Sequence, residues 1–420
     1  MKGRATLVAL AIATLCGSVA AFAQRVDPAS PTTFVVGPPR GNPRADAARR
    51  GQAASLPSSP RVVWRKTLER ATPMAPLARH DGGLVALSTA GELIELDELG
   101  VEKARVNLTL ATQRTDGREP ETPVAAALLS DDAVLVATSF RTLYVVRGGA
   151  VRARARVADD RNAAASASAS ARAEPEQASA VGLDDGGAVV AFDTELVLVD
   201  RDASVRARAV LPGPLGGPLV TGDGVVYAVL QSGSIATWRP GGEVRRVGRF
   251  GGPVTGRALP LGRGILAAVV EGQVLERFDT ARQTGGAVFA STTMWMGPAT
   301  LAQGGLAMLG WQAGRVYALE MDLEGRERRR TAVATGAGTD AGAPSGALGE
   351  VLVDREGRVA FVAPEGIGGV VERDGTVRTL GESVCPKGAR RTGTSGPAGL
   401  VATKKGFVIA CENGLVMAVE

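Results

Sequence analysis

An all-β chain folded as eight four-stranded sheets set in a closed ring is the class that the sequence predicts, and three observations carry it. From Arg61 onward, a unit of four short strand-like runs recurs about eight times. The copies are spaced by roughly 40 to 50 residues, the length of a four-stranded blade. A leftover strand at the start matches the one strand missing from the last copy. Joining the two removes both free sheet edges, which is how a β-propeller closes. A sandwich would account for the strand spacing but not for the complementary ends, and a solenoid would leave both ends to be capped.

The chain opens with Lys2 and Arg4, continues as an apolar run, and reaches Ala21-Phe22-Ala23, the small-x-small pattern of a leader cleavage site. Residues 1–23 are therefore expected to be a signal peptide cleaved after Ala23, placing the mature protein in the periplasm or outside the cell. Leu15 precedes Cys16, where a lipid-anchored protein carries a small residue, so no lipid anchor is expected. No later stretch is apolar over a membrane-spanning length, so no transmembrane segment is expected either. Residues 24–60 are rich in Pro, Ala and Arg and have no periodicity; with few apolar groups to offset ordering entropy, they read as a disordered linker. A wall- or partner-binding arm carrying Arg40, Arg44, Arg49 and Arg50 is the other reading.

Composition narrows the remaining possibilities. The apolar fraction is 45% with only 4% aromatic, so the core is expected to be Val, Leu and Ala. The net charge of +5 falls to +3 when Lys2 and Arg4 leave with the leader, too balanced a chain to imply nucleic acid. Two cysteines then remain, Cys385 and Cys411. In an oxidising compartment the pair suggests a disulfide, with two buried free thiols as the alternative.

Residues 61–420 carry the repeat, and Gly213–Arg249 is its cleanest copy. There GPLV is a small-residue strand, Gly222-Asp223-Gly224 turns the chain into VVYAVL, Ser232-Gly233 turns it into SIATWR, and Pro240-Gly241-Gly242 turns it into EVRRVGRF. The middle strands are apolar at almost every position, as strands covered on both faces are, whereas the last alternates arginine with apolar residues. Arg61–Leu68 (RVVWRKTL) reads as an outer strand with no blade before it. Units open at Thr72-Pro73 and Thr122-Pro123, near Ser179, and at Gly213, Pro253, Pro298, Pro344 and Pro397; the last stops at Glu420 without an outer strand.

Blades narrow toward the axis, and Ala75, Ala78, Ala125, Ala126, Gly216, Gly217, Gly256 and Ala299 at inner positions suit that wedge. Outer strands carry Arg152, Arg154, Arg156, Arg206, Arg208, Arg245, Arg246 and Arg328 to Arg330. On an unpaired edge such charges resist pairing with another chain. A girdle for an acidic polymer or anionic lipid is the other reading. Residues 158–177, with the core AAASASASARA, and Thr335–Ala343 are low-complexity insertions without chemical signature, expected to be disordered loops.

At Gly91–Lys103 (GELIELDELGVEK), and again at SGSIATW and AGRVYALE, the units resemble the PQQ-like repeat. In that repeat a Gly-led strand ends in Ala-Leu-Asp before a Thr-Gly turn and a tryptophan. Asp97 and Gly100 match the turn in one copy, and Trp64 is the best match to the tryptophan that locks adjacent blades. The resemblance covers residues 61–420. It implies the propeller of the quinoprotein dehydrogenases and of non-catalytic envelope proteins. The dehydrogenases pair vicinal cysteines with the quinone and hold calcium with Glu, Asn and Asp. This chain has no adjacent cysteines, and no such acidic set is assigned, which points to the non-catalytic envelope branch.

Residues suited to chemistry are few. His80, the single histidine, lies in RHDGG with no second histidine to share a metal or serve a triad, and reads as a turn cap. Asp354-x-Glu356-Gly357, Asp200-x-Asp202 and Asp184-Asp185-Gly186-Gly187 lack a full ladder of oxygen ligands and read as turns rather than calcium loops. Met294, Trp295 and Met296 sit in the connection before the sixth blade, with Trp311 inside it. They offer either an adaptable apolar contact for a partner or blade packing. The expectation is an exported scaffold for a protein or envelope polymer, with no catalytic residue, metal or cofactor. The alternative is an enzyme, either of the quinoprotein dehydrogenase type or a propeller lyase with arginines in its channel.

Overall fold

The structure is a computed structural model that describes residues 53, 55–79, 81–110, 120–129, 132–157, 178–295, 299–300, 304–335, 349–363, 366–381, 384–385 and 397–420. All of its regular elements are β-strands. The fourth blade shows why. Asp223 and Gly224 take left-handed φ values of 53° and 71°, the two-residue turn whose twist suits a hairpin. Val220–Gly222, Val225–Val229, Ser234–Trp238 and Val244–Arg249 then pair antiparallel in chain order. The second and third strands are buried almost throughout, and the fourth turns Arg245, Arg246 and Arg249 outward.

Seven more sheets repeat this order. They span residues 77–107, 123–156, 178–210, 254–290, 294–335, 350–379, and 397–419 completed by Val62–Thr67. The chain is thus an eight-bladed β-propeller. Its core lies between blades: apolar clusters join blades 1 and 2, 2 and 3, 3 and 4, 4 and 5, 5 and 6, and 6 and 7. A single larger cluster fuses blades 7, 8 and 1. Small residues let the inner strands approach at the narrow end of each wedge. A Cβ on Gly399 of blade 8 would collide with Ala75 at the entry to blade 1, and one on Gly217 would lie 2.8 Å from the Gly256 carbonyl of blade 5.

The ring closes as the complementary ends require. Val62–Thr67 pairs antiparallel with Leu415–Val419 as the outer strand of blade 8, and the Arg61 N–H donates to the Glu420 carbonyl at 2.9 Å. Closure is noncovalent at this point, so the seam with blade 1 carries several independent contacts. Trp64 lies flat against Gly100, which sits at φ 75° in the turn of blade 1, and any Cβ there would meet the indole. The two fragments matched to the PQQ-like repeat therefore belong to one contact. Lys66 Nζ pairs with Glu102 at 2.8 Å, and Lys404 Nζ donates to the Asp81 carbonyl at 2.8 Å.

Glu102 gives this seam a pH dependence. Hydrogen bonds from Arg105 and Lys66 pull its carboxyl from an ordinary 4.5 down to about 2. A carboxyl with a depressed folded pKa binds fewer protons when folded, so its stabilisation is complete above about 4.5 and is lost as pH falls toward 2. In that window the thermal midpoint should fall more steeply for the wild type than for Glu102→Gln. Equal slopes would remove the bridge from the closure.

Cys385 and Cys411 are bonded, with their Cα atoms 5.4 Å apart, and tie the segment after blade 7 to the second strand of blade 8. For a sequence separation of 26 the chain-entropy account gives about 3.5 kcal/mol. The end of the stretch expected as a linker also packs here. Ala53 and Leu56 are buried in the fused cluster, the Ala53 N–H donates to the Val353 carbonyl at 2.7 Å, and the Leu56 N–H donates to Asp354 Oδ2 at 2.9 Å. Among the described residues docking on the ring reaches back to Ala53, before the linker boundary at residue 60, through two apolar seats and one buried carboxylate. The expected leader, the rest of that linker up to residue 52, the insertion at 158–177 and residues 336–343 lie outside the described residues.

Candidate functional site

A propeller of this topology has two unlike rims. One carries the turns between first and second strands and between third and fourth strands. Aspartates organise it: Asp97 Oδ1 accepts the N–H groups of Leu99 and Val101 at 2.9 Å, and Asp322 Oδ1 accepts those of Glu324 and Arg326. Asp354 Oδ1 likewise takes Glu356 and Arg358, leaving Oδ2 for Leu56 and the Arg358 guanidinium. Asp185 and Asp202 close their own turns in the same way. Lys103, followed by backbone donors, holds the Asp97 carboxyl below the usual range, and Ser204 does so for Asp202. In the acidic turns, Asp185, Asp202 and Asp354 thus each accept from their own turn's backbone. Among the described residues no three His, Cys, Asp or Glu side chains gather. His80 lies outside the described residues.

The other rim carries the connections between blades, among them the described residues 108–110, 211–219 and 380–381, together with the tight turns between second and third strands. Ion pairs to two buried glutamates, Glu195 and Glu92, brace it. Arg141, in such a turn of blade 2 at φ 61°, pairs with Glu195 of blade 3 and lies 4.9 Å over the Phe192 ring. The other Glu195 oxygen accepts from Arg208 Nη1 at 2.9 Å. Glu92 and Arg105 repeat that pair in blade 1. None of these braces was among the sequence expectations. The signal was there: a glutamate opens the third strand and an arginine follows it by 13 positions in both copies.

Of the four residues expected as an apolar contact, the structure describes the side chains of Trp295 and Trp311. Met294–Trp295 is the first half of an interrupted inner strand, paired with Trp311 and Gly310, and Ala299–Thr300 is the second half. Trp295 is 0% exposed, inside the cluster between blades 5 and 6. Its ring fills the space left by the missing Cβ of Gly310 and meets Phe289 edge-on at 6.0 Å, and its backbone N–H donates to Gly272 of blade 5. Such a residue packs blades and shows no face to a partner. Trp311 is half-buried against the next cluster, and Met296 lies outside the described residues.

Rims, blades and seam together define an eight-bladed β-propeller. No family model matches the chain, and no curated protein matches it. Solved structures do share the fold. BamB from Moraxella catarrhalis superposes with a TM-score of 0.58 at 12% identity, over 86% of this chain and 99% of that one. The computationally designed Ika8 protein gives 0.57 at 13%, over 88% and 98%.

Proposed function

We propose that this protein is an exported, non-catalytic propeller that holds a protein or envelope polymer on its connection rim. The observation that carries the reading is the division of labour between the rims: one is spent on aspartate-closed turns, and the other gathers the connections between blades on a scaffold braced by Arg141, Glu195 and Glu92. The expected leader and the Cys385–Cys411 bond support export into an oxidising compartment. The donor set does not fit the quinone and calcium that the resemblance brings with it. The two cysteines that remain after the leader are bonded across 26 positions, and the turn carboxylates already serve backbone donors.

Photo-crosslinking side chains at Pro212 and Gln231, both exposed on the connection rim, should capture an envelope partner. The same group at Glu324, exposed on the opposite rim, should not. Adducts from Glu324 alone would place the partner on the wrong rim. Saturable dye reduction after addition of PQQ and calcium would replace the scaffold with an enzyme.

A further inference from the structure

The outer strands of three consecutive blades form one basic band. Ala150–Arg156, Val205–Val210 and Val244–Arg249 read AVRARAR, VRARAV and VRRVGR, with arginines and no acid, and every one of those arginines is exposed. In blade 3 the charge is partly answered: Arg206 faces Asp185 and Asp200 at 3.7 and 3.9 Å, and Arg208 pairs with Glu195. In blades 2 and 4 it is not, since among the described residues Arg152, Arg156, Arg245 and Arg246 have no carboxylate partner. At one end of the band, between blades 2 and 3, a recess of about 500 Å3 is lined by Arg152 of the outer strand with Arg147, Arg201, Ala133 and Val145.

Edge protection alone does not explain this distribution. Every outer strand of the ring is an unpaired edge, yet Thr284–Ala290 of the adjoining blade 5, TGGAVFA, is exposed over its first four residues and carries no charge at all. We infer that the band is a binding site for a flexible linear polyanion that runs around the circumference from blade 2 to blade 4. The curvature selects that class. Successive blades of an eight-bladed ring face directions about 45° apart, so blades 2 and 4 differ by about 90°, and a flat anionic bilayer cannot touch both. A flexible chain can, adding charge-assisted contacts blade by blade. The site lies on the outer side of the ring and does not rest on the rim reading.

The test titrates labelled long-chain inorganic polyphosphate into the mature protein at several salt concentrations. Binding that weakens with salt is expected. Arg152→Ser with Arg156→Ser, or Arg245→Ser with Arg246→Ser, should each weaken it at least about tenfold with an unchanged thermal midpoint, and tripolyphosphate should bind far more weakly because it cannot reach both blades. Arg328→Ser with Arg355→Ser removes the same charge elsewhere and should cost less than about twofold. An equal loss in that control would reduce the effect to bulk charge and overturn the site. So would unchanged binding in both band variants, capture of anionic vesicles with polyphosphate ignored, or self-association of the variants at unaltered polyphosphate affinity, which would return the arginines to edge protection.

Discussion

Deleting Arg61–Leu68 is expected to have the largest effect of any short change in the chain. It strips blade 8 of its outer strand, leaves Leu415–Val419 with an open edge, and removes both Trp64 from Gly100 and Lys66 from Glu102. A domain of ordinary stability has only about 5–15 kcal/mol to lose. The loss of a strand, an indole contact and a seam should consume most of it, and the open edge should drive self-association. Thermal unfolding and light scattering check this, and a peptide spanning residues 53–68 added in trans should restore the midpoint, since it carries both the strand and the docked Ala53–Leu56. An equally heat-resistant deletion variant would mean that the ring does not depend on its first strand.

Trp295→Ala should follow, at about 3–5 kcal/mol, the usual cost of emptying a fully buried aromatic site. The indole has no room to be replaced by collapse, because Gly310 and Phe289 are shaped around it. Its Nε1 is buried without a hydrogen-bond partner, so Trp295→Phe removes an unsatisfied donor along with some volume and should cost clearly less than the alanine. Denaturant midpoints of the two variants check the order. Partner capture from the connection rim should survive in whatever fraction of Trp295→Ala remains folded. A variant of unchanged stability that loses its partner would reinstate Trp295 as a contact.

Much of the architecture was legible because each repeat carries its own punctuation. Gly222-Asp223-Gly224 and Gly241-Gly242 mark turns, the runs between them are the length of strands, and the leftover Arg61–Leu68 states the closure in one dimension. The Cys385–Cys411 bond was legible from the expected oxidising compartment and the even count of cysteines after the leader. What escaped depends on partners far along the chain. The strand Met294–Trp295 is too short for any periodicity, and its burial follows from Gly310 and Phe289. Ala53 and Leu56 sit in a composition that reads as unstructured, and only the carboxylate of Asp354, 298 positions away, shows why they dock. The pairing of Arg141 with Glu195 crosses from one blade to the next, which no single copy of the repeat can display.

The most direct measurement is hydrogen exchange at Val62–Thr67 in the intact protein. A ring closed by that strand requires its ladder amides to exchange as slowly as those of Leu415–Val419, the strand they pair with, and to lose protection together with it. Exchange of Val62–Thr67 within seconds, while Leu415–Val419 stays protected, would show a ring held shut by something else.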